Sequence, residues 1–331
     1  MARKLIFVTG GTGFLGHHLV PCLLARGYRL RLLVRKTSDL GWLPPGPIEC
    51  LQGDVTDPAS LHRGIQGCDY AVHAAGYFRF WGSEQTFQRI NTQGTRNMVQ
   101  AALRAGVKRM VHISTVAVVG EPPRGQPITE ETPCRPRDAY QRSKLDAEQY
   151  VRAMAAQHSL PAVILRPGAF YGPHGTYGFN RLFIQDPLRG VRVQIDRGKR
   201  LVFPVFVPDV ARVICRVLQH PGDLHGRIFN ICDLPVTHRK INDLVSDLLG
   251  ISRWRLNTPR ALMLSLAGLM EFFSRYTHRE PFFPLNLRHY VFNDWPVSSA
   301  RARLELDFSP TPLAEGLRQT IQWYVEGRPA R

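Results

Sequence analysis

The chain is poor in the features that mark several common classes of protein. Its 331 residues include six cysteines, at 22, 50, 68, 134, 215 and 232, with no Cys-x-x-Cys and no histidine cluster among them. That scatter excludes a zinc module and a disulfide framework, so no metal site is expected, and it fits a reducing compartment. No apolar run approaches the ~20 residues that a bilayer-spanning helix needs. A strand is predicted almost at the first residue, which leaves no room for a secretion signal, so a cytoplasmic protein is expected. Internal repeats and low-complexity segments are missing. Acidic residues are scarce, 26 against 43 Lys and Arg, giving a formal net charge of +17. Such a balance attracts anions. The cations are nevertheless spread along the whole chain, without a basic run or an aromatic RNA-binding signature, so no specific nucleic-acid partner is expected.

What is present begins at residue 4. Lys4 to Thr9 reads as a buried strand that runs into Gly10-x-x-Gly13-x-x-Gly16 and then a helix. A tight turn, a close approach of backbone N–H groups to a pyrophosphate, and packing of the new helix on the sheet each exclude a side chain at one glycine. The helix N-terminus adds unpaired donors and a partial positive charge. Gly10, Gly13, Phe14, Leu15 and Gly16 are therefore candidate cofactor-binding residues. A second strand, 29–34, ends at Arg35-Lys36, about 20 residues on, where the ribose-reading residue belongs. A carboxylate there would suit NAD. A cation suits a 2′-phosphate, so NADP(H) is favoured with NAD(H) as the alternative.

Short apolar runs then alternate with helical periodicity. The spacing predicts strands at 4–9, 29–34, 48–52, 69–74, 109–114 and 161–166, and helices at 14–26, 57–66, 84–105 and 138–157. That rhythm implies right-handed crossovers and an α/β fold with a doubly wound parallel sheet. Further on, helices are predicted at 178–189, 208–219, 237–249, 258–275 and 311–325, with strands at 203–207 and 227–231. The expected division is a dinucleotide-binding domain over 1–175, to which 203–232 returns, and a smaller, mostly helical substrate lobe from 176–202 and 233–331.

Tyr140 and Lys144 are four residues apart on the helix predicted at 138–157, so phenol and ammonium share a face. A free tyrosine has a pKa near 10 and exchanges protons poorly at neutral pH. A neighbouring cation is expected to bring it closer to working pH. The fifth strand ends in Ser114-Thr115, at the strand end where open α/β sheets place ligands. Either hydroxyl can orient a substrate oxygen.

With these pieces the chain resembles an extended short-chain dehydrogenase/reductase of the epimerase/dehydratase superfamily. The resemblance rests on Thr9 to Gly16 (TGGTGFLG), Gly53 to Val55, His73 to Gly76 (HAAG), Asn91-x-x-Gly94-Thr95, Ser114-Thr115, Tyr140-x-x-x-Lys144 and Arg166 to Gly168. It implies a Rossmann domain in which Asp54 and Val55 hold the adenine and Ala74, Ala75 and Gly76 line the cofactor. Asn91 would steady that wall, and Pro167 and Gly168 would flank the nicotinamide. Tyr140 would be the acid/base, with Lys144 on the nicotinamide ribose. Counting back from Gly120, the catalytic hydroxyl falls on Thr115, with Ser114 its neighbour. The nearest branches in look are dihydroflavonol-reductase-like, 3β-hydroxysteroid-dehydrogenase-like and hopanoid-associated-epimerase-like. Relatives also dimerise through a helix pair that corresponds to 84–105 and 138–157, so a homodimer is an expectation by analogy.

Sugar-nucleotide epimerases of this superfamily carry an Arg-Asp pair where this chain has Val202 and Phe203. Arg200, two positions away, is the remaining group that could reach a phosphate. Losing the pair weakens the case for a sugar diphosphate, and the aromatic run Tyr77 to Trp81 points to an apolar substrate. Residues 261–273 are apolar on almost every helical face. Buried core is the first expectation for them, ahead of a substrate wall or a membrane-surface contact. The favoured reading is an NADP(H)-linked oxidoreductase of a hydrophobic ketone/alcohol pair. The alternatives are a sugar epimerase or dehydratase with tightly held NAD(P), and a non-catalytic NADP(H)-binding regulatory or assembly protein.

Overall fold

The computed structural model describes residues 3–326; the ends of the two expected domains at 1–2 and 327–331 lie outside the described residues. Seven strands form one parallel sheet: β1 (Leu5–Thr9), β2 (Arg29–Val34), β3 (Ile48–Gln52), β4 (Tyr70–His73), β5 (Arg109–Ile113), β6 (Ala162–Pro167) and β7 (Ile228–Ile231). Their spatial order is 7-6-5-4-1-2-3. β1 pairs with both β2 and β4, with Ile6 opposite Leu30 on one side and Tyr70 on the other. The winding direction reverses there, so a crevice opens over the C-terminal ends of β1 and β4, the place where such sheets bind ligands.

Helices cover both faces. On one, α1 (Gly16–Ala25) packs on α5 (Val207–Gln219), burying Leu19, Leu23, Val213 and Ile214 against the sheet. On the other lie α2 (Pro58–Ile65), α3 (Gly94–Ala105) and α4 (Ala139–His158), with Leu61, Met98 and Val151 in the second core. Central strands are buried on both faces, which explains their near-continuous apolar sequences. The predicted helix 84–105 is interrupted: a helical turn, Glu84–Phe87, leads into a π-helical stretch, Gln88–Gln93, before α3 begins.

The remaining elements are α6 (His238–Leu249), α7 (Arg260–Thr277) and α8 (Leu313–Glu326). α6 and α8 enclose a third cluster with Tyr171, Phe179 and Phe183. Residues Trp295 to Phe308 turn back to the sheet side, where Ala302, Leu306 and Phe308 join the core around α1 and α5. The predicted strand 203–207 is a short one, Pro204–Phe206, paired with Ala169–Tyr171 outside the main sheet. One expectation is overturned. The segment 261–273 is not buried core: in α7 only Met263, Ala267 and Ser274 are buried, while much of its apolar surface faces solvent. Among the described residues no helix is long and apolar enough to cross a membrane.

Candidate active site

Gly10 follows β1 with φ +75°, and a Cβ on it would lie 2.6 Å from the Ala74 carbonyl carbon and the Ala75 nitrogen. The glycine is required because two neighbouring strand ends meet there. A Cβ on Gly16 would lie 2.1 Å from the Gly11 oxygen, which fixes the return of the loop onto α1. Gly13 is exposed and meets only the Gly10 oxygen within 4 Å, so the loop's outer side is open. α1 starts at Leu15–Gly16 without a side-chain cap, leaving first-turn N–H groups for an anion. Phe14 packs edge-on against Phe170, and Leu15 is buried. These features fit a dinucleotide pyrophosphate.

The end of β2 is joined to the loop by contacts that spacing did not reveal. The Arg35 N–H donates to Ser38 Oγ at 3.1 Å, and the Thr12 hydroxyl donates to the same oxygen at 3.2 Å. The Arg35 side chain is exposed and has no ion pair among the described residues. Asp54 Oδ1 accepts from the Thr56 N–H and hydroxyl at 2.8 Å each. Val55 is buried against Gly94, and its carbonyl accepts from Asn97 at 3.0 Å. Ala75 N–H reaches Thr9 Oγ1, while Gly76 lies 3.5 Å from Asn91 as measured to an added Cβ. Asn91 sits in the π-helical stretch. Its side chain accepts the Tyr77 N–H at 2.7 Å and donates to the Tyr77 carbonyl and to Ser143 Oγ. The aromatic loop after β4 is therefore fastened to α4 through Asn91.

Tyr140 and Lys144 lie on the first turns of α4, which Asp138 caps by accepting the Gln141 N–H at 2.8 Å. Thr115 stands beside the Tyr140 phenol, near enough for its hydroxyl to favour the ionised form. Ser114, one residue earlier, points the other way: its hydroxyl donates to Glu148 Oε2 at 2.7 Å, within a buried network completed by Arg166. The structure thus brings Thr115 to Tyr140 and sets Ser114 behind the site. Lys144 Nζ donates to the Ile113 carbonyl at 2.7 Å, and burial pulls its pKa down to about 8 while Glu148 pulls it up. The expected lowering of the Tyr140 pKa is not found. Burial holds the phenol above its ordinary value, the neighbouring Thr115 hydroxyl lowers it, and Asp138 raises it further. The phenol is protonated at neutral pH, which is the form a proton donor needs. Gly168 is squeezed by packing, since a Cβ would lie 2.1 Å from the Phe203 oxygen and 2.8 Å from Cys232 Sγ. Pro167 closes β6 opposite Ile231.

An aromatic wall stands over the phenol. Phe78 meets the Tyr140 ring edge-on at 4.7 Å between centroids and also touches Phe80 and Tyr177. Phe80 packs on Tyr290, whose hydroxyl donates to Asp138 Oδ2 at 2.9 Å. Phe203 stacks on the buried Trp295 at 4.4 Å. Arg200 is engaged elsewhere, with Asp294 at 2.9 Å and Asp196 at 3.6 Å. A separate cavity of about 410 Å³, lined by Lys4, Tyr28 and Lys108, opens at the N-terminal ends of the strands, away from this crevice. Among the described residues no group of side chains could hold a metal ion.

Fold and crevice together define a doubly wound dinucleotide-binding enzyme with a tyrosine–lysine pair on the helix that borders the crevice. The chain belongs to the NAD dependent epimerase/dehydratase family, whose sequence pattern matches residues 6–232. It is similar to sterol demethylase protein B of Methylococcus capsulatus, 29% identical over 96% of this chain and 98% of that one. It is also similar to human 3 beta-hydroxysteroid dehydrogenase type 7, 32% identical over 79% of this chain and 77% of that one. Among solved structures, dTDP-glucose 4,6-dehydratase DesIV of Streptomyces venezuelae, with NAD bound, superposes at a TM-score of 0.80 with 27% identity, covering 98% of both chains. The protein is an NAD(P)-dependent enzyme of the extended short-chain dehydrogenase/reductase type, a group of oxidoreductases, epimerases and dehydratases.

Proposed function

We propose that this enzyme interconverts a ketone and a secondary alcohol on an apolar, sterol-like or lipid-like molecule, with NADP(H) as the redox partner. The observation that carries the reading is the Tyr140 phenol, beside Thr115 and under the wall of Phe78, Phe80, Tyr177 and Tyr290. The bound nicotinamide supplies or accepts the hydride. In the reductive direction Tyr140 gives its proton to the carbonyl oxygen, and Thr115 orients that oxygen by a hydrogen bond. Lys144, with a pKa near the working range, holds the nicotinamide ribose and returns a proton towards Tyr140. The glycine loop and the first turn of α1 take the pyrophosphate, Arg35 the 2′-phosphate, Asp54 and Val55 the adenine. Ala74 to Gly76, Asn91, Pro167 and Gly168 form the cofactor wall. The segments 176–202 and 233–326 supply most of the substrate side.

The relatives named for sterol chemistry support the apolar substrate. The occupied Arg200 and the apolar Val202 and Phe203 speak against a sugar diphosphate, whose charges need cationic partners. The test is steady-state nicotinamide absorbance with NADPH and a panel of sterol and other apolar ketones. Wild type is expected to consume NADPH in step with product, and Tyr140→Phe to lose at least ~100-fold in kcat. Equal rates in the two proteins, or conversion of a nucleotide sugar with no net NADPH consumption, would overturn the proposal.

A further inference from the structure

Helix α7 turns two apolar faces in different directions. Met263 and Ala267 point inward and pack with Phe283, Leu287 and Phe292. Leu262, Leu266, Leu269, Phe273 and Tyr276 are between 39 and 72% exposed. Their intervals of four, three, four and three residues set them in one stripe, which runs over ~21 Å of helix. Phe272 flanks it, 51% exposed, and Trp254 and Leu256 are exposed in the segment leading into the helix. A contiguous apolar strip of this kind marks a binding surface rather than ordinary surface scatter.

Cations dominate the ends of the strip. Arg260 lies at its start, over the Phe292 ring at 4.9 Å, and Arg275 and Arg279 lie at its end, all exposed. Both acids from 260 to 280 are engaged elsewhere: Glu271 turns inward to accept the Leu285 N–H at 2.7 Å, and Glu280 accepts from the Tyr177 hydroxyl and faces Arg79 at 4.0 Å. We infer that this face of α7 docks on an anionic phospholipid bilayer, the helix lying parallel to the interface. Its stripe would enter the acyl boundary while Arg275 and Arg279, at the end of the helix, reach lipid phosphates. A second copy of the chain fits less well. A two-fold pairing of α7 would bring arginines of one copy towards arginines of the other with no acid on the face to offset them. The stripe is not the substrate wall either, because it is the other face of α7, through Met263 and Ala267, that joins the cluster against which Phe80 and Tyr290 pack.

Flotation with phosphatidylcholine vesicles, with and without phosphatidylglycerol, tests the inference. The wild-type protein is expected to float with the phosphatidylglycerol vesicles, less so as salt is raised. Leu269→Ser/Phe273→Ser is expected to reduce the bound fraction by at least ~10-fold. Arg275→Gln/Arg279→Gln should remove the preference for the anionic lipid. An unchanged Tm for both variants would show that these exposed positions leave the fold intact. Wild type that stays unbound with both vesicles, or variants that float like wild type, would overturn the inference. So would a wild-type dimer by light scattering that Leu269→Ser/Phe273→Ser makes monomeric, with no vesicle binding by either protein.

Discussion

Arg35 and Thr115 are the two side chains whose roles depend most on single atoms. The Arg35 guanidinium lies in solvent at the tip of β2, while its own N–H is fixed by Ser38 and through it to Thr12 of the glycine loop. A cation held at that position discriminates for a phosphate and against a bare hydroxyl. Arg35→Asp is expected to move the ratio of kcat/KM for NADPH over NADH down by ~10- to 100-fold, read from initial rates with each cofactor. Thr115 offers a hydroxyl to Tyr140 and also caps the following turn by accepting the Ala117 N–H at 3.2 Å. Thr115→Ser keeps that hydroxyl and should retain most activity and stability, whereas Thr115→Val should lower kcat by ~10- to 100-fold and, by removing the cap on Ala117, cost about 1 kcal/mol of stability. The glycines and the Tyr140–Lys144 pair were legible in the sequence because their roles are set by spacing within one turn. Thr12–Ser38, and the Ile113 carbonyl that receives Lys144, were not. Each joins segments brought together by sheet order, which no local pattern records.

At the scale of elements, α4 carries the residues of the proposed chemistry as a ladder of side chains four residues apart: Tyr140, Lys144 and, behind them, Glu148. Glu148 lies behind the site, bonded to Ser114 and to Arg166, both partners buried. Neutralising it leaves a buried guanidinium without its counter-charge and removes the group that raises the Lys144 pKa. Glu148→Gln should therefore cost ~3 kcal/mol or more of stability, measured by urea unfolding. In the folded enzyme the limb of the pH–rate profile that reports Lys144 should move to lower pH, because burial then acts unopposed. The periodicity of 84–105 correctly indicated a helical run, yet it could not show the π-helical stretch at Gln88–Gln93 that aims Asn91 at Tyr77 and Ser143. Such a local widening is common at functional sites and leaves the apolar pattern almost intact. For α7 the error ran the other way. A helix apolar on nearly all faces reads as core, but residues 283–292 cover only one side of it.

Partial or full burial of seven histidines makes the stability of the molecule depend on pH in a direction that can be worked out. Burial, the largest cause at each site, lowers the pKa of His17, His18, His238 and His289 to about 4 and of His73 to about 3, holds His112 well below 6.5 and lowers His174. The unfolded chain protonates all seven near 6.5, so as pH falls from there towards 4 it binds protons that the folded protein does not. Stability present above pH 6.5 is thus lost across that interval. Three carboxyls act in the opposite sense. Burial raises Asp233 to about 7 and lifts Asp138 and Asp186 above their ordinary value, so the folded state holds protons that the unfolded chain has released until pH falls to 3.8. Seven groups against three decide the sign, and acidification should destabilise. Thermal unfolding followed from about pH 7 to about pH 5 is expected to show a falling Tm. Calorimetry in buffers of different ionisation enthalpy should report net proton uptake on unfolding. A flat or rising Tm over the interval would mean that these imidazoles are reached by water in the folded protein. The crevice behind Thr9 and Thr95, which hold the His73 ring at 2.7 and 3.0 Å, would then be wetter than its packing implies.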